Sequence, residues 1–329
     1  MKLKGKKILV TGAGGFIGSH LVESLIASGA CVKALVFYNR DNDWGNLEAL
    51  SSEIKSNIEV ILGDIRDPDF CMKIVKDIDI IFHLAALIGI PYSYLSPRSY
   101  IDTNVSGTMN VCQAALENNC EKIVHTSTSE VYGSAQYMPI DEAHPLQPQS
   151  PYSASKIGAD SIALSYYYSF NLPLTIVRPF NVFGPRQSLR AVIPTIIGQA
   201  LSQGEVKLGS LFPKRDYTFV KDTVQAFIKA AENKESIGKV FNIGTNREVS
   251  IGEIAEKIIT LLGKEIEIYE DEKRVRPEKS EVNRLLCNNK LALDILNWEA
   301  KFSFEVGLEQ TIDWMRNNLA QIKAGGYII

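Results

Sequence analysis

Short apolar runs alternate with amphipathic stretches through the first half of the chain. The runs are KKILVT at 6–11, CVKALVF at 31–37, IEVILGD at 58–64, DIIFHLAA at 79–86, KIVHTST at 122–128 and LTIVRPF at 174–180. Each is nearly continuous in apolar residues, the pattern of strands covered on both faces. Between the first two, Leu21, Val22, Leu25 and Ile26 recur at helical spacing over 19–28. Over 100–116, Val105, Met109, Cys112 and Leu116 fall on one helical face. This rhythm predicts an α/β fold built on a doubly wound parallel sheet.

After about Asn181 the rhythm changes. GPRQ at 184–187 reads as a loop and AVIPTIIGQAL at 191–201 as a helix. RDYTFVKD at 215–222 and KVFNIG at 239–244 read as short strands flanking a helix. Ser250 and Glu253 stand at capping-box spacing before another helix. IEIYED at 266–271 reads as a strand and SFEVGLEQTIDWMRNNL at 303–319 as a terminal helix. The expected division is a dinucleotide-binding domain at 1–180 and a smaller C-terminal α/β substrate lobe at 181–329. Some segments of the second are expected to return to the first, leaving a cleft between the two.

Composition narrows the class. The 329 residues are 45% apolar and 22% charged, with net charge −3, ordinary for a globular protein. No basic surplus suggests nucleic acid or a membrane surface, and no apolar run is long enough to span a bilayer. The chain enters a strand almost at once, leaving no room for a secretory signal, so a cytoplasmic location is expected. Five scattered cysteines and four scattered histidines predict reduced thiols and no metal site.

VTGAGGFIGSH at 10–20 supplies the first chemistry. Gly12, Gly15 and Gly18 follow a strand and open a helix. Such glycines permit a tight turn, close approach to a pyrophosphate and close helix–strand packing, with the helix N-terminus facing the negative charge. The bland alternative is a glycine-rich turn without a ligand. A dinucleotide is the expected occupant, NAD first, with NADP not excluded. The second strand ends without the usual acidic residue for the ribose. Asn39 could bond a ribose hydroxyl, and Arg40 could meet a 2′-phosphate. Asp64, ending the third strand, is a candidate for the adenine amino group or simply a polar strand end.

Tyr152 and Lys156 lie four apart and share a helix face. A lysine beside a tyrosine is expected to favour the phenolate, which can take a proton from a substrate alcohol. Thr128 or Ser127 could bond the same substrate oxygen. YxxxK alone is also common on helix surfaces; its weight comes from the glycine motif and the hydroxyl-rich strand end.

With these motifs the chain resembles the extended short-chain dehydrogenase/reductase family over nearly its whole length. The matching stretches are GAGGFIG, HLAA at 83–86, NVSGT at 104–108, STSEVYG at 127–133, YSASK at 152–156 and RPFNVFGPRQ at 178–187. RDYTFV at 215–220 and RPEKSEV at 276–282 also match. The resemblance implies a Rossmann domain with a tightly held nicotinamide cofactor, lined by Gly12, Gly15, Phe16, Ile17, Gly18, Asp64, Ile65, Ala85 and Ala86. It implies a nucleotide-sugar substrate and a homodimer through helices at about 100–117 and 152–169. Ile88, Asn181, Arg190, Arg215 and Arg276 are the implied substrate contacts, Asn181 at the diphosphate. Solvated surface arginines and ordinary apolar packing at Ile88, Pro91 and Tyr92 are the bland alternatives.

Within that family, the glutamate after the hydroxyls adds a second base. Sugar 4,6-dehydratases use it, by resemblance, after oxidation at C4: Glu130 would take the C5 proton, O6 would leave as water, and hydride would return to C6. The dTDP-glucose enzymes carry Asp before that Glu, whereas this chain has Ser129. The proton donor to O6 is thereby unassigned, and Glu130 could return its own proton. Flanking segments most resemble the N-acetylglucosamine 4,6-dehydratases of the legionaminic-acid pathway, acting on a GDP- or UDP-linked sugar. A UDP-glucuronate decarboxylase, with Arg190 holding the carboxylate, is the main alternative. A 4-epimerase and a non-catalytic sensor follow. A sensor would be supported by loss of Tyr152, Lys156 or the glycines, and none is lost.

Overall fold

The computed structural model describes residues 2–271 and 282–318. Six strands come from the first 180 residues: β1 Lys7–Thr11, β2 Cys31–Phe37, β3 Ile58–Gly63, β4 Ile80–His83, β5 Lys122–Thr126 and β6 Leu174–Pro179. The later strands are β7 Asn181–Phe183, β8 Glu205–Leu208, β9 Lys214–Arg215, β10 Tyr217–Phe219, β11 Val240–Ile243, β12 Val249–Ser250, β13 Glu267–Glu270 and β14 Arg284–Leu285.

The main sheet has seven strands in the order β11-β6-β5-β4-β1-β2-β3. Every pairing in it is parallel. Alternate residues of each strand enter different cores, which is why the runs read as continuously apolar. Ile8 and Val10 of β1 face one core, and Leu9 faces the other. The same split separates Val124 from Ile123 on β5. The order reverses between β1 and β4, so the carboxyl ends of those strands form the crevice where such sheets bind ligands.

Two segments depart from the sequence reading, and for a third that reading assigns no sheet. KVFNIG, read as a short strand, supplies β11, the edge strand of the main sheet beside β6. RDYTFVKD is two short strands, broken at Asp216, whose carboxylate turns to Thr245 and the Cys287 N–H. The helix expected over 100–116 contains a π-turn at Ile101–Ser106 before the regular helix Gly107–Glu117. That wider turn faces Asn104 inward, where its amide pairs with both backbone groups of Leu87 and with Ser155. The capping box forms as read: Ser250 accepts from Glu253 N–H, and Glu253 from Ser250 N–H.

Beyond β6, small two- and three-stranded sheets pair β10 with β7, β13 with β8, and β9 with β12 and β14. Their helices Val192–Ser202, Ile251–Leu262 and Phe304–Asn318 bury Ile196, Ile258 and Ile312 in the same core that Ile8 and Val10 enter. Among the described residues, no helix is long and apolar enough to cross a membrane.

Candidate active site

The glycine loop joins β1 to the helix Phe16–Ala27. Gly12 has φ +70°, and a Cβ there would lie 2.8 Å from the Ala85 nitrogen. A Cβ on Gly18 would lie 2.2 Å from the Gly12 carbonyl oxygen. Only glycine fits either place. Gly15 is exposed and forms the N-cap without a side-chain bond, leaving the first helical N–H groups facing outward. Phe16 and Ile17 are half-buried just behind it. Thr11 Oγ1 accepts from the N–H groups of Leu84 and Ala85, fixing the β4 end that carries Ala86.

The other proposed cofactor contacts are placed less uniformly. Asn39 is occupied within its own turn: Nδ2 donates to the Phe37 and Asp43 carbonyls, and Oδ1 accepts from the Asp43 N–H. Arg40 pairs with Asp41 in the open. Asp64 chelates the Arg66 guanidinium at 2.5 and 2.8 Å. Partial burial alone would raise its pKa, but the Arg66 bonds outweigh that and lower it. Ile65 is buried, packed where Gly107 leaves space.

Tyr152 and Lys156 begin the helix Pro151–Phe170, which Ser150 caps by accepting the Ser153 N–H. Thr128, two residues past β5, caps the 3₁₀ turn Ser129–Tyr132 by accepting from the Glu130 N–H. Tyr152 lies close enough to Thr128 and Glu130 for both to shift its pKa, the hydroxyl downward and the carboxylate upward. The two candidate hydroxyls thereby separate. Thr128 faces Tyr152, whereas Ser127 donates to Asp160 at 2.6 Å. Ser129 is buried, and Glu130 is half-buried on the cleft wall.

Lys156 does not act on Tyr152 as expected from spacing. Its Nζ donates to the Thr126 carbonyl at 2.6 Å, and burial lowers its pKa to about 8. Burial raises the Tyr152 pKa; the Thr128 hydroxyl opposes this, and the Glu130 charge adds to it. The phenol in this geometry therefore keeps its proton at neutral pH.

A buried network below these groups was missed in the sequence. Asp160 accepts from Ser127 and from Arg178 Nη2 at 2.9 Å, and His125 Nε2 lies 3.2 Å from its other oxygen. Arg178 Nη1 donates to the Tyr132 hydroxyl at 2.6 Å, and that hydroxyl donates to Asn242. Burial would raise the Asp160 pKa, but His125, Arg178 and Lys156 hold it well below the carboxylate range. The signal was present: His125 and Arg178 interrupt apolar strands, and a buried charge demands a partner.

A cleft of about 290 Å³ opens beside Glu130, lined also by Asn181, Gln187, Arg190 and Arg215. Arg190 is exposed, and its charge reaches the Tyr100 phenol, which packs edge-on against Tyr152 at 6.2 Å. Arg215 is buried and donates to the Lys214 and Asn283 carbonyls at 3.0 and 3.4 Å. Ile88 is 69% exposed beside Leu87. Arg276 lies outside the described residues.

The family model for GDP-mannose 4,6 dehydratase matches residues 9–311. The chain belongs to that family. Its relatives place it among the extended short-chain dehydrogenase/reductases, NAD-dependent nucleotide-sugar enzymes. It is 34% identical over 328 residues to the dTDP-D-glucose 4,6-dehydratase of Mus musculus, covering 95% of this chain and 89% of that one. The dTDP-glucose 4,6-dehydratase of Streptomyces venezuelae, solved with NAD, superposes with TM-score 0.87 at 28% identity, covering 96% and 99% of the two chains. The UDP-N-acetylglucosamine 4-epimerase of Methanobrevibacter ruminantium M1 gives TM-score 0.87 at 32% identity, again covering 96% and 99%. NAD is the cofactor of this enzyme family, and the glycine cradle fits it: the space at Gly12 and Gly18 admits backbone only, beside an uncapped helix N-terminus.

Proposed function

We propose that this member is a nucleotide-sugar 4,6-dehydratase acting on a GDP- or UDP-linked N-acetylglucosamine. The observation that carries the reaction type is Glu130, a cleft-wall carboxylate close to the Tyr152–Thr128 pair. A transfer confined to C4 needs the hydroxyl and phenol alone; elimination needs a further base for C5. Support for the amino sugar comes from the segments 85–108, 137–160 and 186–201, which resemble the N-acetylglucosamine dehydratases.

The roles follow from position. Gly12, Gly15, Phe16, Ile17 and Gly18 would hold the pyrophosphate end of NAD, with Asp64, Ile65, Ala85 and Ala86 along its length and Tyr152 and Lys156 at its reactive end. Bound NAD supplies the hydride acceptor and donor, and a cationic ring that favours the phenolate. Tyr152 takes the proton from the C4 hydroxyl, with Thr128 bonded to the same oxygen. Lys156, cationic below about pH 8, orders the strand end through Thr126 and adds positive charge. Glu130 removes the C5 proton that the 4-keto group acidifies. Ser129 is buried, so Glu130 returns its proton to O6, which leaves as water. Glu130, reprotonated from solvent, then gives a proton to C5, and C6 takes the hydride that the reduced cofactor would supply. Asn181, Arg190 and Arg215 face the nucleotide diphosphate and sugar.

Decarboxylation of UDP-glucuronate is the second reading, favoured by Arg190 on the same wall as Glu130. Mass spectrometry after incubation with GDP- and UDP-N-acetylglucosamine, dTDP-glucose, GDP-mannose and UDP-glucuronate decides between them. Loss of one water from an N-acetylglucosamine substrate is expected. Loss of carbon dioxide from UDP-glucuronate would overturn the dehydratase assignment. The proposed homodimer would pair the helices Gly107–Glu117 and Pro151–Phe170, on which Met109, Tyr168 and Phe170 are exposed. Sedimentation at a mass of two chains is the expected result.

A further inference from the structure

Tyr100 is almost fully buried, with 1% of its surface exposed, and its hydroxyl is used within the chain. It donates to the Gly89 carbonyl at 2.5 Å. That carbonyl also accepts the Ser93 N–H at 3.0 Å, in the first turn of the helix Ile90–Leu95. The Tyr100 ring is thereby tied to the segment that leaves β4. Its remaining contacts are aromatic. Tyr92 lies at 6.1 Å, and Tyr152 at 6.2 Å with the ring planes 76° apart, an edge-to-face pair. One turn further along, Asn104 joins the same two neighbours. Its amide bonds both backbone groups of Leu87 and donates to Ser155, whose hydroxyl donates to the Tyr152 carbonyl. Tyr152 is therefore held twice from the stretch 100–104, by its main chain through Asn104 and by its ring through Tyr100.

A phenol that takes the proton from a substrate alcohol needs its hydroxyl free for that oxygen, so its ring has to be aimed by packing. We propose that Tyr100 is a positioning residue for Tyr152: its ring sets the angle of the Tyr152 ring, and its hydroxyl, fixed on Gly89, keeps it there. This rests on the reading above only in taking Tyr152 as the group at C4, which dehydration and epimerisation share. Reacting groups displaced by about 1 Å lose about 10²-fold in rate, so a ring that fixes orientation has a kinetic signature. Plain core packing is the competing account, and it predicts lost stability alone.

The test compares the NAD-loaded parent with NAD-loaded Tyr100→Phe and Tyr100→Leu. The Tyr152 phenol is titrated by ultraviolet difference spectra against the matching Tyr152→Phe protein. Nicotinamide reduction is timed after mixing with UDP-N-acetylglucosamine, GDP-N-acetylglucosamine and dTDP-glucose. The cationic ring of bound NAD favours the phenolate only where the phenol stands beside it, so the titration reports position. Tyr100→Leu is expected to slow reduction by about 10²-fold and to move the titration to higher pH, while calorimetric affinities for NAD and the sugar nucleotides stay within about twofold. Glu130 and Asp160, which also shift this phenol, are untouched by either variant. Tyr100→Phe keeps the ring edge, loses the Gly89 bond and should fall between, close to the parent. Should Tyr100→Leu not fold, Tyr100→Met fills more of the space without a ring and takes its place. Unchanged titration and reduction beside a lower unfolding midpoint overturn the proposal, and so does equal slowing in Tyr100→Phe and Tyr100→Leu. The titration needs no turnover, so absence of dehydrated product would sink the dehydratase reading while Tyr100 is still decided.

Discussion

The polar groups beneath Tyr152 bond to one another, whereas those on the cleft wall bond to backbone or extend into the open. Asp160 has Ser127, Arg178 and His125 around it, and Arg178 continues through Tyr132 to Asn242. On the cleft wall, Asn181 and Gln187 keep oxygens without a partner, and Arg190 extends into the open. The first set gathers two charges in the interior and bonds mainly side chain to side chain, with the second Asp160 oxygen and the His125 ring in contact but outside hydrogen-bond geometry. The second bonds mainly to backbone carbonyls, as Gln187 does to Val182 and Arg215 to Lys214 and Asn283. In a low dielectric the interior charges depend on one another, so losing one partner should cost more there than on the exposed wall.

The largest effects should come where the two sets meet. Tyr152→Phe and Glu130→Gln are each expected to lower kcat by about 10²- to 10⁴-fold. They should differ in one readout. In deuterated water, Glu130→Gln should stop exchange at C5, whereas parent enzyme leaves deuterium in the product. Parent-level exchange in Glu130→Gln would remove that residue as the base.

The interior set is tested next by stability. Asp160→Ala leaves the Arg178 guanidinium buried without its anion, at an expected cost of about 3–5 kcal/mol in urea unfolding. Ser127→Ala removes one bond and should cost about 1 kcal/mol. If the two variants unfolded at the same urea concentration, Asp160 would not be the hub.

Acid should weaken the fold through a third cluster, where the helix Phe16–Ala27 meets Pro185 and Arg186. His20 lies between Arg186 and the Pro185 carbonyl, and burial first, then the Arg186 charge, lowers its pKa from 6.5 to about 3. The unfolded chain therefore binds this proton more readily than the folded one. The stability contribution is complete above pH 6.5 and is lost as pH falls toward 3. At pH 5 the loss from this group alone is about 2 kcal/mol. His20→Gln should flatten the slope of unfolding free energy between pH 7 and 5 by that amount.

Legibility in the sequence follows the same division. The strands were readable because both faces of the sheet are covered, which leaves no polar alternation to confuse them. The glycine turn was readable because backbone packing at Gly12 and Gly18 admits no other residue. Edges were harder. Val240–Ile243 is apolar enough for any buried strand, and nothing local says that it joins β6. The hub was hidden because Asp160, His125 and Arg178 come from three separate elements. Local spacing pairs Lys156 with Tyr152, yet the lysine bonds Thr126, thirty residues away in sequence.

Asn39 offers the smallest effect and the finest distinction. A residue at the end of β2 suggests a ribose contact, but all three bonds seen at its amide close the 37–43 turn. That turn carries Trp44, whose carbonyl would be 2.7 Å from a Cβ on Gly14, and Asn46, whose N–H donates to Gly14. Asn39 would then serve the cofactor through the backbone of the glycine loop. Asn39→Ala should cost about 1 kcal/mol in urea unfolding without NAD and weaken NAD only severalfold. Asn39→Asp keeps the acceptor for Asp43 N–H, loses both donors and should fall between. A direct ribose bond would give the reverse result: unchanged unfolding without NAD, with the whole loss appearing in NAD affinity.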